Sequence, residues 1–299
     1  MHPLRSAALC SLVLLVAACG GTTTPATASE PITVVASTNV YGDIARQVGG
    51  DRVDVTSIIS DPGQDPHSYE ASTRNQLTLS KAKVVIENGG GYDDFVDTML
   101  KAGGNTSARV INAVTVSGKT APAGGELNEH IWYDLPSVAK IADQISTALA
   151  TADPANAATF TANADAFKNK LKPLEDRTAA LAAEVGGTAV AITEPVPLYL
   201  LDAAGLENLT PEEFSEAIEE GDDVSPAVLA ETTALFTGKK VEALVYNEQT
   251  SGPQTEQLKK AATDNDVAVV PVTETLPEGK DYVGWMTSTI DALQAALVP

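Results

Sequence analysis

The sequence has almost no cysteine. Of its 299 residues only Cys10 and Cys19 are cysteines, and both lie within the first twenty positions. The remainder of the chain therefore has neither a disulfide framework nor a thiolate metal site. Any metal ion bound by the folded part must be held by nitrogen and oxygen ligands.

Basic residues are also scarce. Against 40 Asp and Glu the chain has 19 Lys and Arg, which gives a formal net charge of −21 at pH 7. Such acidity disfavours nucleic acid and anionic lipid surfaces as partners and attracts cations. We therefore expect no nucleic-acid partner.

The N-terminal residues are typical of an exported lipoprotein. The apolar stretch at residues 7–18 is too short to span a bilayer as a helix, and it ends in small residues directly before Cys19. We expect a signal peptide at residues 1–18, a lipid-modified Cys19 and a flexible linker over residues 19–31. The lipid would hold the protein on the extracytoplasmic face of the cell membrane. The alternative is an ordinary signal peptide followed by an incidental cysteine.

Short β-branched runs alternate with helical patterns in the rest of the chain. Strands are predicted at residues 32–37, 53–59, 84–87, 109–114, 188–193, 241–246 and 267–272. Helices are predicted at residues 40–48, 74–82, 92–102, 196–204, 211–220, 225–236, 253–263 and 282–297. This alternation predicts an α/β fold of two lobes, each with a parallel sheet.

One long helix is predicted to link the lobes. It would cover residues 153–185, because Asp153-Pro154 is typical of a helix start and Gly186-Gly187 of a helix end. Pro173 predicts a kink or a break within it. The N-terminal lobe would then span residues 32–152 and the C-terminal lobe residues 186–299. We find no sequence repeat between the lobes.

Two histidines remain once the signal peptide is removed, His67 and His130, and both follow predicted strands of the first lobe. Glu194 and Glu274 follow predicted strands of the second lobe. Ligands bind beyond the carboxyl ends of strands in open parallel sheets, so these four residues would meet in a cleft between the lobes. Imidazole and carboxylate suit Zn, Mn or Fe. The alternative is that all four are ordinary solvated side chains.

The motifs around these residues resemble a known family, the zinc and manganese solute-binding lipoproteins of ABC importers. The segments that carry the resemblance are Asp65-Pro66-His67-Ser68-Tyr69-Glu70, His130-Ile131-Trp132-Tyr133-Asp134-Leu135-Pro136, Glu194 to Tyr199, and Gly279-Lys280-Asp281-Tyr282. It implies His67, His130 and Glu194 as three metal ligands, and Glu274 as the fourth in place of the usual aspartate.

The resemblance also implies a monomer that binds Zn²⁺ or Mn²⁺, with Fe²⁺ as a further candidate, and docks on the permease subunits of an ABC importer. It implies no catalytic cofactor. Residues 115–129 lack the histidine-rich loop that zinc-dedicated members often carry. The class of ion is therefore better defined than its identity.

Two other functions stay open from the sequence. A metal-dependent hydrolase would need an open coordination position and a base, and no His-Glu-x-x-His helix occurs. A surface adhesin lipoprotein would need a repeat or an adhesive patch, and we recognise neither. We expect a protein that is not an enzyme.

Several residues near the four candidates are assigned only by location. Asp65, Asp134, Asn247 and Glu248 could orient the ligands through hydrogen bonds. Trp132 and Trp285 would either shield the site or belong to the core. The acidic run at residues 216–223 is interpreted as a solvated helix end, with an importer-docking surface as the alternative.

Overall fold

Two parallel sheets hold the strands of the computed structural model, which describes residues 30–61, 69 and 72–298. The first sheet has the order β2-β1-β3-β4 and contains β1 (Ile32–Thr38), β2 (Val53–Ile59), β3 (Val84–Glu87) and β4 (Arg109–Asn112). The second has the order β6-β5-β7-β8 and contains β5 (Ala189–Ile192), β6 (Glu207–Asn208), β7 (Ala243–Asn247) and β8 (Ala268–Val272). The lobes thus share one topology without a recognisable sequence repeat.

Helices connect the strands in both lobes. The first lobe contains α1 (Asn39–Gly49), α2 (Thr73–Leu79), α3 (Phe95–Gly103), α4 (Ala113–Ser117) and α5 (Leu135–Ala152). After the linking helix α6 (Ala157–Val185), the second lobe contains α7 (Leu198–Ala203), α8 (Glu212–Glu219), α9 (Pro226–Thr237), α10 (Pro253–Asp264) and α11 (Tyr282–Leu297). The predicted α/β fold with two parallel-sheet lobes and one linking helix is confirmed.

Each sheet separates a central core from an outer one. Along β1, Val34 and Ala36 point into a core shared by both lobes and α6, whereas Val35 points to an outer cluster. This is the alternation that a strand with both faces covered requires. In the second lobe Val190 belongs to the shared core and its neighbour Ala191 to an outer cluster. The shared core means that the two lobes pack as one body.

The linking helix α6 is continuous for 29 residues, and Pro173 lies inside it. The predicted break is therefore wrong. Proline removes one backbone donor, but tertiary packing outweighs that loss. Phe160, Phe167 and Leu171 on one side of Pro173, and Leu174 next to it, are buried in the shared core.

Two other sequence predictions need correction. The strand predicted at residues 109–114 ends at Asn112, whose side chain accepts a hydrogen bond from Thr115 N and caps α4. Helix α5 was not predicted, although Asp134 is a good N-cap and Pro136 lies in the first turn. The apolar spacing of Val138, Ile141, Ala142, Ile145 and Leu149 is also helical.

Hydrogen bonds tie the lobes together away from the linking helix. The Asn39 side chain accepts from Leu276 N at 2.8 Å and donates to Leu276 O at 2.9 Å. Tyr282 N donates to the Asp43 carboxylate at 2.9 Å, and Tyr133 OH donates to Thr273 O at 2.7 Å. The relative position of the two sheets is therefore held by polar contacts as well as by the shared core.

Replacing Asp134 with alanine is expected to destabilise the fold by about 1 kcal/mol, because the helix α5 loses its N-terminal cap. The Asp134 carboxylate accepts from Ser137 N at 3.1 Å and forms an ion pair with Lys119 at 3.1 Å. Urea unfolding of the two proteins measures the difference. Equal stability of variant and wild type would contradict this assignment of the cap.

Several predictions concern residues outside the described part of the chain. These are the signal peptide, the linker, the lipid on Cys19 and the metal ligand His67. Among the helices that the structure does describe, none has the length and apolarity needed to span a membrane.

Candidate functional site

His130 is buried between the lobes, with 0% of its surface exposed. Its Nδ1 lies 2.8 Å from Asn128 Oδ1, and Asn128 Nδ2 donates to Pro195 O at 3.0 Å. The carbonyl partner fixes the orientation of the Asn128 amide, so Oδ1 can only accept, and His130 Nδ1 is the protonated nitrogen. The lone pair of the neutral ring is therefore on Nε2, the atom that lies towards Glu219.

Aromatic rings fix the orientation of this imidazole. Trp132 and Tyr92 pack against it, with ring centroids 5.1 Å and 6.0 Å away. Trp132 is completely buried, and its backbone carbonyl oxygen accepts a hydrogen bond from Tyr282 OH. Trp285 packs against Tyr133, with ring centroids 5.5 Å apart. Both tryptophans thus belong to the core, and Trp132 also covers the candidate site.

Glu194 and Glu274 face this histidine from the second lobe. Glu194 follows β5, Glu274 follows β8, and their surfaces are 2% and 1% exposed. Asn247, the last residue of β7, donates its two amide hydrogens to them, to Glu194 Oε2 and to Glu274 Oε1, the latter at 2.9 Å. Tyr92 OH lies 3.3 Å from Glu274 Oε2 and connects the carboxylates to the first lobe. Three adjacent strands thus bring two buried carboxylates together.

Among the described residues proposed to orient ligands, Asn247 is the one that hydrogen-bonds candidate ligands. Asp134 caps α5, and Glu248 is exposed. Asp65 lies outside the described residues. Two residues that were not proposed take this role instead. Asn128 holds His130, and Gln249 Oε1 accepts from Glu274 N at 2.6 Å.

Glu219 is a further site residue that the sequence did not indicate. It is the last residue of α8, its side chain is 16% exposed, and its Oε1 lies 3.5 Å from His130 Nε2. The interpretation of residues 216–223 as a solvated helix end is therefore wrong at this position. Burial, followed by the charges of Glu129, Glu194 and Glu274, raises the pKa of Glu219 to about 9.

Glu219 lines a cavity of about 750 Å³. Its lining is rich in carboxylates, namely Glu126, Glu129, Glu212, Glu216, Glu219 and Glu220. Burial and the neighbouring charge of Glu220 raise the pKa of Glu129 to about 7. Lys119 also lines the cavity, but acidic residues outnumber it, so the lining favours a cation over an anion.

The described part of the chain does not by itself complete a metal site. Within residues 30–61, 69 and 72–298, no three His, Cys, Asp or Glu side chains are grouped closely enough to hold a metal ion. His67 is outside these residues. Of the four predicted ligands, the structure brings His130, Glu194 and Glu274 to the same cleft.

Without metal, the protein is expected to become less stable as pH rises. Between the usual pKa of 4.5 and about 9, folded Glu219 keeps a proton that the unfolded chain has released. Raising the pH through this range therefore favours unfolding. Thermal melting with a chelator present, from about pH 6 to about pH 9, should show a falling melting temperature.

The Glu219→Gln variant should show a smaller dependence, because its side chain cannot ionise. Glu213→Gln, an exposed substitution on the same helix, serves as the control and should follow the wild type. Parallel curves for Glu219→Gln and wild type would contradict the assignment.

Comparison with known proteins identifies the family of this chain. The family described as "ZnuA: Zinc-uptake complex component A periplasmic" matches residues 34–296. The manganese-binding lipoprotein MntA of Halalkalibacterium halodurans is 27% identical over 241 residues, which are 74% of this chain and 78% of that protein. The iron ABC transporter substrate-binding lipoprotein MtsA of Streptococcus pyogenes is 28% identical over 54% of this chain and 55% of its own.

Solved structures show the same fold. The periplasmic zinc-binding protein TroA of Treponema pallidum has a TM-score of 0.77 and 19% identity, covering 90% of this chain and 100% of its own. FpvC of Pseudomonas aeruginosa in complex with Mn²⁺ has a TM-score of 0.75 and 22% identity, covering 90% and 98%. Since the family match extends over most of the sequence, the chain belongs to the periplasmic A components of zinc-uptake complexes, which are substrate-binding proteins of ABC metal importers and not enzymes.

Proposed function

We propose that this protein captures one divalent transition-metal ion, Mn²⁺ or Zn²⁺ with Fe²⁺ as a further candidate, through His67, His130, Glu194 and Glu274. It would do so on the extracytoplasmic face of the cell membrane, held there by lipid on Cys19. The loaded protein would then dock, as a monomer, on the permease subunits of its importer.

The observation that supports this proposal is the position of Tyr92, which packs against His130 and whose hydroxyl lies 3.3 Å from Glu274, the neighbour of Glu194. Buried carboxylates are rarely retained without a cation or a hydrogen-bonding partner, because burial of a charge is costly. Here one amide, that of Asn247, holds both carboxylates in place. Two carboxylates also balance the charge of a dication.

The nitrogen ligand is prepared in the same way. Asn128 holds the proton of His130 on Nδ1, so the ion would bind at Nε2. Asn128 also accepts from Tyr199 OH through its backbone oxygen, at 2.7 Å. Tyr199 and Pro195 belong to the second lobe, so the contacts that orient His130 come from both sides of the cleft.

The names of the relatives support the range of ions. The two lipoproteins described above are named for manganese and iron, and the related structures are named for zinc or contain Mn²⁺. Imidazole and carboxylate bind all of these ions. Because such sites generally bind Zn²⁺ more tightly than Mn²⁺, affinity alone would favour zinc. The cargo must therefore be identified by competition.

The test is elemental analysis of the purified folded domain, from Gly20 onward, after loading with equal Zn²⁺, Mn²⁺ and Fe²⁺. We expect one equivalent of a single metal, and its loss in the His67→Ala, His130→Ala double variant. Equal metal content in the two proteins would refute the ligand assignment. A wild-type protein without metal would refute capture of these ions.

The lipid anchor needs a separate test in cells. Cys19→Ser should release the protein from the membrane fraction, because the acyl acceptor is lost. Cys10→Ser lies within the predicted signal peptide and serves as the control. Membrane retention of Cys19→Ser would contradict the anchor.

A further inference from the structure

Residues 273–281 connect β8 to α11 and therefore belong to the second lobe by sequence. The first lobe nevertheless binds this segment. Tyr133 OH donates to Thr273 O at 2.7 Å, and the Asn39 side chain forms two hydrogen bonds with the backbone of Leu276, at 2.8 Å and 2.9 Å. The segment is thus held from across the lobe interface.

Glu274 lies between these two points of attachment, and only Thr275 separates it from Leu276. Both residues are buried. Their own lobe holds them through Gln249, whose Oε1 accepts from Glu274 N at 2.6 Å and from Thr275 N at 3.0 Å. Because the backbone is fixed on both sides of Glu274, a shift of this segment relative to the first lobe would carry the Glu274 carboxylate with it.

The pair of hydrogen bonds at Leu276 requires a primary amide. Asn39 Oδ1 accepts from Leu276 N, and Asn39 Nδ2 donates to Leu276 O. An ionised aspartate can only accept, and an aliphatic side chain can do neither. Since the two bonds run in opposite directions between the same two residues, they fix the orientation of the segment as well as its distance.

Asn39 stands on a rigid part of the first lobe. It is the first residue of α1 and directly follows β1, which pairs with both β2 and β3. The next two residues, Val40 and Tyr41, are completely buried in the shared core. A side chain on such a base passes the position of the first lobe on to the backbone that it binds.

We propose that Asn39 is a positioning residue for Glu274, and that it fixes from the first lobe the place at which this second-lobe carboxylate faces the cleft. The inference rests on the proposed function for the role of Glu274 as a metal ligand. Asn39 acts through the backbone of Leu276 and not on the ion. Its loss should therefore let Glu274 shift while every proposed ligand stays in the chain.

Hydrogen exchange of the metal-free protein tests the geometric part of the proposal. The variants are Asn39→Ala and the matched control Asp43→Ala, which removes the acceptor of Tyr282 N, a bond from the same helix to the far end of the segment. We expect the amides of residues 274–276 to exchange about fivefold faster in Asn39→Ala and at the wild-type rate in Asp43→Ala. Unchanged exchange of these amides in Asn39→Ala would overturn the inference.

Metal affinity, measured with Mn²⁺ by competition with a chelating dye, separates positioning from general stability. Both variants lose an interlobe hydrogen bond, but we expect about tenfold weaker binding for Asn39→Ala and less than about twofold for Asp43→Ala. Asn39→Asp keeps the volume of the side chain and loses the donor to Leu276 O, so it should also bind more weakly. Equal losses for Asn39→Ala and Asp43→Ala would overturn the inference.

Glu274→Ala distinguishes these outcomes from failure of the proposed function. If Glu274→Ala binds weakly while Asn39→Ala binds like the wild type, Asn39 does not position Glu274 and the proposed ligand set stands. If Glu274→Ala keeps the wild-type affinity, Glu274 is not a ligand, and the proposed ligand set fails together with this inference.

Discussion

His130→Ala is expected to weaken metal binding by more than about 100-fold. Loss of a residue that only hydrogen-bonds a metal ligand already lowers metal affinity about 10–100-fold, and loss of the ligand itself should cost more. The substitution removes Nε2, the proposed nitrogen ligand, on the ring that Asn128 orients. Isothermal titration of metal-free protein measures the loss for each ion.

Asp134→Ala is the matched control for this variant. It lies four residues further along the same segment and caps α5, so it should change stability and leave metal affinity unchanged. His130→Ala must also remain folded, which circular dichroism can establish, since the histidine packs against Trp132 and Tyr92. A folded His130→Ala with wild-type affinity would show that the ion binds elsewhere.

Asn247→Leu is expected to lower affinity by about 10–100-fold, although Asn247 is not itself a proposed ligand. Leucine has a similar volume but cannot donate hydrogen bonds, so Glu194 and Glu274 would lose the donor that they share. Two neighbouring carboxylates without it repel each other and turn away from their common position.

The same substitution has a second expected effect. In the metal-free protein the two carboxylates become harder to bury, so the melting temperature should fall, and saturating metal should restore part of it by mass action. Asn265→Leu, at the end of α10 and remote from the cleft, is a suitable control. Unchanged affinity in Asn247→Leu would mean that the carboxylates are oriented by other contacts.

The sequence predicted seven of the eight described strands, because buried parallel strands are short β-branched runs with few alternative structures. Glu194 and Glu274 could be placed for the same reason, since each directly follows such a run. The sequence missed β6, which has only two residues and no β-branched side chain. Helix α5 was missed because the segment from His130 to Pro136 was interpreted as a ligand motif, which concealed the N-cap at Asp134. The break predicted as one alternative at Pro173 was wrong because local propensity does not include the packing of Phe167 and Leu171.

Glu219 could not be predicted at all. The acidic run around it is typical of a solvated surface, and no spacing within the run singles out one carboxylate. Its inward position depends on where α8 packs against the rest of the second lobe and on how close the first lobe lies. Both are properties of the tertiary structure. Asn128 was missed for the same reason. Its amide oxygen accepts from His130, and its amide nitrogen donates to Pro195 O in the other lobe, a contact that only the tertiary structure creates.

The hydrogen bonds between the lobes have an energetic consequence for transport. Asn39 with Leu276, and Tyr282 with Asp43, hold the two halves in register independently of the cleft. An ion that binds in the cleft would therefore not have to supply the free energy of bringing the two halves together, because these contacts are already made.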